Sequence, residues 1–236
     1  MKKFGFTLAE TLITLGVIGV VAAITIPNLI AHYQKESVAT QLKKTYSTIS
    51  QAVRMSEAEN GEVAGWDMAD ERKEVVFDTY LVPFLKCSKK EVKAQEINYY
   101  NPNGQRESGL AIVRGGATAY TLLSGVQIVV NNGVVTGVGP NAGAGTGFAM
   151  IIDLNGYDTL PNRFGRDTFY MVITTEKGTI LHFSDDGEMG TVQRTRKQLL
   201  NGPSRYNYQC NKNGRGMWCG ALIQKDGWKI SKDYPW

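Results

Sequence analysis

Three groups of residues have the types and spacing to do chemistry. The first is a single carboxylate, Glu10, after which no Asp, Glu, Lys or Arg occurs until Lys35. An ionised carboxylate in apolar surroundings costs at least a few kcal/mol unless something pairs with it, so Glu10 demands a partner. The second is Asp153-Leu154-Asn155-Gly156-Tyr157-Asp158, followed by Pro161-Asn162, Gly165, Asp167 and Phe169. Asp and Asn two apart before a glycine turn resemble the start of a calcium loop, where short oxygen side chains converge on a hard cation. The full helix–loop–helix pattern is absent, because Phe164 stands where a bidentate Glu would fall. The same residues also suit a plain structural turn, with Asn and Asp bonding nearby backbone, Gly156 at positive φ and Pro161 stiffening the loop. The third group is Cys210 and Cys219, which flank the turn-like Asn211-Lys212-Asn213-Gly214.

Other chemistry finds little footing. His32 falls at the end of the apolar segment. His182 falls in a strand-like run with Ser184, Asp185 and Asp186 behind it. A Ser-His-Asp triad needs a positioned oxyanion site as well, and Ser-Asp-Asp-Gly is a good turn, so no enzyme is expected. Gly137, Gly139, Gly143, Gly145 and Gly147 alternate with small residues, but no Gly-Lys-Ser/Thr follows, which argues against a phosphate-binding loop. Zinc is not expected, since the two histidines lie far from the cysteine pair.

The elements that must carry these groups can be read from periodicity. Thr11 to Gln34 would span roughly 36 Å as a helix, enough for a bilayer core of about 30 Å. Lys2 and Lys3 would stay on the cytoplasmic side and place the bulk of the chain outside. From Val38, apolar residues recur at Leu42, Tyr46, Ile49 and Val53, one face of an amphipathic helix. One long helix is therefore expected from about Phe6 to Glu59, ended by Asn60-Gly61. Pro27 should kink or loosen it near Ala23, and Gly16 and Gly19 lower its stability. A second helix is expected from about Asp70 to Lys86, burying Val76, Tyr80, Leu81, Phe84 and Leu85.

Strand-like runs follow at Leu110–Val113, Ala119–Leu123 and Val126–Val130, with Asn132-Gly133 as a hairpin signal before Val134-Val135. Further runs occur at Phe148–Asp153, Thr168–Thr175 and Ile180–Phe183. Turns rather than helices separate them, so the sheet should be antiparallel and the fold class α+β. Thr191–Leu200 suggests a short basic helix, and Gly227–Trp236 a final strand with a packing tail. The aromatics and lysines of that tail could contact nucleic acid. The formal charge is +4, and about +2 without Lys2 and Lys3, near enough to neutral to argue weakly against a dedicated nucleic-acid binder. In an extracytoplasmic compartment Cys210 and Cys219 could close a small hairpin or loop. Cys87 is then left over, as a buried thiol or as the true partner of either.

The run of basic residues, then Gly5-Phe6-Thr7-Leu8-Ala9-Glu10 and a long apolar helix, resembles the N-terminus of type IV prepilins and type II secretion pseudopilins. The resemblance implies cleavage between Gly5 and Phe6 by a prepilin peptidase, and N-methylation of the new Phe6 amine. It also implies a partner for Glu10: the Phe6 amine of a neighbouring subunit in a staggered filament. Pro27 sits where many pilins carry a proline, and this region can extend when subunits pack; a static kink is the competing reading. Some secretion pseudopilins hold calcium in a head loop, and the likeness permits a site built from Asp153, Asn155, Asp158 and Asp167. The implied organisation is a leader at 1–5, an N-terminal helix at 6–60 that crosses the inner membrane, and an extracytoplasmic head at 61–236. The implied function is a filament subunit that associates with other pilins or pseudopilins. A minor pilin acting as an adhesin or in DNA uptake is the alternative. A secretory signal peptide and an ordinary membrane anchor fit less well, because neither explains Gly5-Phe6 with Glu10.

Overall fold

In a computed structural model of the chain, residues 7–66, 72–93, 97–107, 116–131, 147–174, 180–183, 194–204 and 206–236 are described. Two compact units divide the chain, Met1–Ser37 and Val38–Trp236. Helix α1, Leu8–Asn60, contributes to both.

Within the first unit the apolar residues face outward on every side. Leu12, Ile13, Leu15, Ile18, Val20, Val21 and Ile24 are all more than half exposed. A helix that is apolar all round has no use for water as its only neighbour. This one is long and apolar enough to cross a membrane. The helix continues through Pro27. There Thr25 Oγ1 donates to the Val21 carbonyl at 2.9 Å and Asn28 Nδ2 to the Ile24 carbonyl at 3.2 Å. These side chains supply local hydrogen bonds beside the Ala23 carbonyl, whose backbone partner the proline removes.

In the second unit, Val38–Asn60 of α1 buries Ala39, Leu42, Thr45, Ile49, Ala52, Val53 and Ser56. Their spacing of three and four residues is one helical stripe. The stripe joins the core of an antiparallel sheet, so the chain has an α+β, pilin-like layout. The six strands are β1 (Cys87–Lys93), β2 (Ala117–Leu122), β3 (Gln127–Asn131), β4 (Gly147–Asp153), β5 (Thr168–Thr174) and β6 (Ile180–Phe183). They pair in sequence order. Such a meander needs only turns between neighbours. Tyr46 of α1 meets Phe183 of β6 with ring centroids 5.9 Å apart and Trp228 at 5.4 Å.

Several expectations need correction. The second helix, α2, covers only Lys73–Tyr80. A 3-10 turn at Val82–Phe84 follows, where Pro83 cannot extend the helix. Phe77, absent from the expected face, is fully buried and packs on Tyr120 at 4.5 Å. Strand β1 was not foreseen. Its Lys89, Lys90 and Glu91 break any apolar alternation, yet charged side chains are what an edge strand carries to discourage further pairing. The expected basic helix is shorter: α3 spans Arg196–Asn201, started by a Thr195–Gln198 capping box. Helix α4, Cys219–Lys225, was also missed. The C-terminal ten residues form no strand; they turn and pack Tyr234, Trp228, Ile230 and Trp236 on the core. The expected strands at Leu110–Val113 and Val134-Val135, and the Asn132-Gly133 hairpin, lie outside the described residues.

Candidate functional site

At the start of α1, Thr7 and Glu10 cap the helix reciprocally. Thr7 N and Thr7 Oγ1 each donate to Glu10 Oε2 at 2.8 Å, and Glu10 N donates to Thr7 Oγ1 at 3.2 Å. Thr-x-x-Glu is a capping-box pattern. It was legible in the sequence but was passed over in favour of the carboxylate alone. The box gives Glu10 two donors within its own chain, which lowers the cost of a carboxylate at the edge of an apolar segment. Gly5 and Phe6 lie outside the described residues.

The second site lies in the second unit, at one end of the sheet. Strand register fixes it: Asp153 is the last residue of β4, opposite Gln127 of β3 and Thr168 of β5. On the next rung Leu154 N donates to the Asp167 carbonyl at 2.8 Å. The intervening segment is a closed loop with several ties. Gln41 Nε2 of α1 donates to the Leu154 carbonyl at 2.8 Å. Tyr157 N donates to Gln127 Oε1 at 3.0 Å. Tyr100 N donates to the Asn162 carbonyl at 2.9 Å, and Phe164 N to the Tyr100 carbonyl at 2.8 Å. An ion pair between buried Glu107 and half-buried Arg215 anchors the far end of that 97–107 segment, with Arg215 Nε donating to Glu107 Oε2 at 2.6 Å.

Asp167 organises the loop's return. Asn162 N donates to its Oδ2 at 3.0 Å and Arg163 N to its Oδ1 at 2.6 Å. Asn162 takes a positive φ of 47°, which asparagine tolerates better than most residues. Its Nδ2 donates to the Tyr157 carbonyl, with the Asn98 carbonyl at 3.4 Å. That arrangement turns its Oδ1 inward without a donor.

Asp153 is wholly buried. One of its oxygens, Oδ1, accepts from Asn155 N at 3.3 Å, and the other, Oδ2, has no hydrogen-bond partner. Burial first, and the neighbouring Asp167 charge second, push the Asp153 carboxyl up to about 7, against the pull of the Asn155 and Gly156 amides. Burial also raises Asp167, while the amides of Arg163 and Asn162 oppose it. Tyr99, fully buried, is pushed far up by burial and then by Asp153 and Asp167. Its hydroxyl has no hydrogen-bond partner either.

Of the four oxygen residues expected to converge here, the fold brings Asp153 and Asp167 together. Asp158 is exposed and lies outside the cluster. The Asn155 side chain lies beside Asp167 as a hydrogen-bond partner of its carboxyl, and its Nδ2 also donates to the Thr159 carbonyl at 3.0 Å. No group of three or more His, Cys, Asp or Glu suited to a metal occurs among the described residues. Asn162 and Tyr99, which carry two further unpaired buried oxygens, were not singled out. Asn162 stood in the motif, but Tyr99 is distant in sequence and only the fold brings it near.

Cys210 and Cys219 form a disulfide with Cα atoms 4.8 Å apart. It closes a loop that runs into the first turn of α4 rather than a hairpin. Cys87 is a free, half-buried thiol at the start of β1.

No curated protein and no solved structure matches the chain. A family model matches residues 28–112 and 175–236, taking in the head-packing part of α1, β1, β6 and the disulfide, but neither Glu10 nor the Asp153–Asp167 loop. On that match the chain belongs to a family of unknown function, DUF6613.

Proposed function

We propose that this chain is a structural subunit of a type IV pilus or a type II secretion pseudopilus, assembled through its N-terminal helix. The observation that carries the reading is the run Lys2-Lys3-Phe4-Gly5-Phe6-Thr7-Leu8-Ala9-Glu10 ahead of a helix that is apolar on every face. The α+β, pilin-like layout supports it.

In this reading a prepilin peptidase removes Met1–Gly5 and the Phe6 amine is methylated. The helix then waits in the inner membrane with the head outside the cytoplasm. Assembly moves it from lipid into a bundle of like helices. Glu10 sets the register. A charge left alone in an apolar bundle is heavily penalised, whereas a charge paired with a neighbour's Phe6 amine is much less so. The Thr7–Glu10 cap keeps the carboxylate hydrogen-bonded before that pairing is available. Removing Lys2 and Lys3 lowers the formal charge from +4 to about +2, which suits packing of like subunits.

Glu10→Ala is expected to leave leader cleavage intact and to abolish or sharply reduce filaments. Electron microscopy of sheared surface fractions, with immunoblotting for the processed chain, reads both effects. Normal filament yield from the variant would remove the register mechanism.

A further inference from the structure

In the second unit, the outward face of α1 carries its charges in separated blocks. Lys43 and Lys44 stand exposed near the start of this stretch. Glu59 and Glu62 stand exposed at its end and just beyond, with half-buried Glu57 beside them. About 15 residues of helix part the two blocks, roughly 22 Å along the axis, so within one chain they cannot meet. No nearer partner serves them. The positions four residues after Lys43 and Lys44 hold Ser47 and Thr48, and the position four before Glu59 holds Met55, so no i,i+4 ion pair is built there. Among the described residues Lys43, Lys44, Glu59 and Glu62 take part in no ion pair. The acidic block also lies where a helix least favours it. No basic residue occupies the last turn of α1, so Glu57 and Glu59 add to the negative end of the helix dipole. Between the blocks, Ser47 Oγ and Thr48 Oγ1 donate back to the Lys43 and Lys44 carbonyls, each at 3.0 Å. Hydroxyls satisfied in this way lose no partner when another surface displaces water.

We infer that this face binds a second copy of the chain, whose Lys43 and Lys44 lie against Glu57, Glu59 and Glu62 of the first. The inference rests on the filament reading above and adds a register contact in the head, apart from Phe6 and Glu10. Charge alone allows two arrangements. Antiparallel copies crossing near Gln51 would form both sets of pairs at once and close a dimer. Parallel copies form one set, offset by roughly 22 Å along the axis, and leave an unpaired block at each end. Such a head-to-tail contact repeats from copy to copy without closing. Subunits whose apolar helices enter one bilayer from the same side must be parallel, which selects the second arrangement. At that offset Arg54 stands level with the uncharged Ala39 and Thr40 of the other copy. A slip of about 10 residues would instead bring Lys44 level with Arg54, and like charges set together oppose that register.

The test uses the full-length chain in cells, with filament yield read from sheared surface fractions and leader cleavage from immunoblots. Glu59→Lys with Glu62→Lys should cut the yield at least about tenfold, as should Lys43→Glu with Lys44→Glu, because each pair of changes opposes like charges. Leader cleavage should continue in both. Combining all four substitutions should restore most of the yield, and that recovery also shows that the substituted heads fold. Wild-type yield from both charge reversals would overturn the contact and leave the filament reading standing. Losses in both reversals without recovery in the combination would overturn the pairing. Absence of filaments and of a processed chain from the wild type itself would overturn the filament reading, and this contact with it.

Discussion

At the scale of single residues, Gly165 shows how closely the loop around Asp167 is built. Its φ is +85°, a region that side chains other than glycine's enter at a cost. A Cβ there would stand 2.7 Å from Cys219 Sγ and 3.0 Å from the Tyr234 hydroxyl. That hydroxyl donates to the Gly165 carbonyl. The disulfide and the C-terminal tail thus press on one backbone position, two residues from a buried carboxylate. Gly165→Ala is expected to destabilise the head by at least about 2 kcal/mol, from backbone strain and from overpacking against a sulfur that the disulfide holds in place. Denaturant unfolding of the wild type and variant checks this; a change below about 0.5 kcal/mol would show that the contact yields freely. The glycine is visible in the sequence, but its neighbours are not, since Cys219 and Tyr234 reach it only through the fold.

At the scale of elements, legibility followed the strength of the local pattern. The head-packing stretch of α1 was readable because Leu42, Ile49 and Val53 recur at helical spacing and are buried as a stripe. Strands β2 to β6 were readable because apolar, β-branched runs are separated by turn residues. Elements whose reason for existing is elsewhere in the chain were not readable. Strand β1 is charged because it lies at a sheet edge, and Lys90 pairs with Asp78 of α2. Helix α4 is short and begins at a disulfide cysteine, so it carries no polar cap to announce it. In the same way Asp153 and Asp167 were identifiable as oxygen donors, while Asn162 and Tyr99 needed strand register and the 97–107 segment to join them. The disulfide is an element-level device: it joins the loop after α3 to the first turn of α4. Cys210→Ser with Cys219→Ser is expected to cost about 2–3 kcal/mol by releasing the loop in the unfolded chain. Comparing the oxidised protein with the double variant in urea measures it, and equal midpoints would show that packing alone holds α4.

At the scale of the whole molecule, the sequence is two chemistries in succession. One unit exposes apolar side chains all round, and the other closes a conventional core under a six-stranded sheet. The first is long and apolar enough to cross a membrane, and the family match leaves out residues 1–27. The N-terminal processing step is therefore where the account stands or falls. Intact-mass and N-terminal analysis of the protein, from cells with and without an active prepilin peptidase, tests it directly. The account predicts a chain beginning at N-methylated Phe6 when the peptidase is active, and retention of Met1–Gly5 when it is not. Retention of those five residues in both strains, or cleavage after the apolar segment, would contradict it.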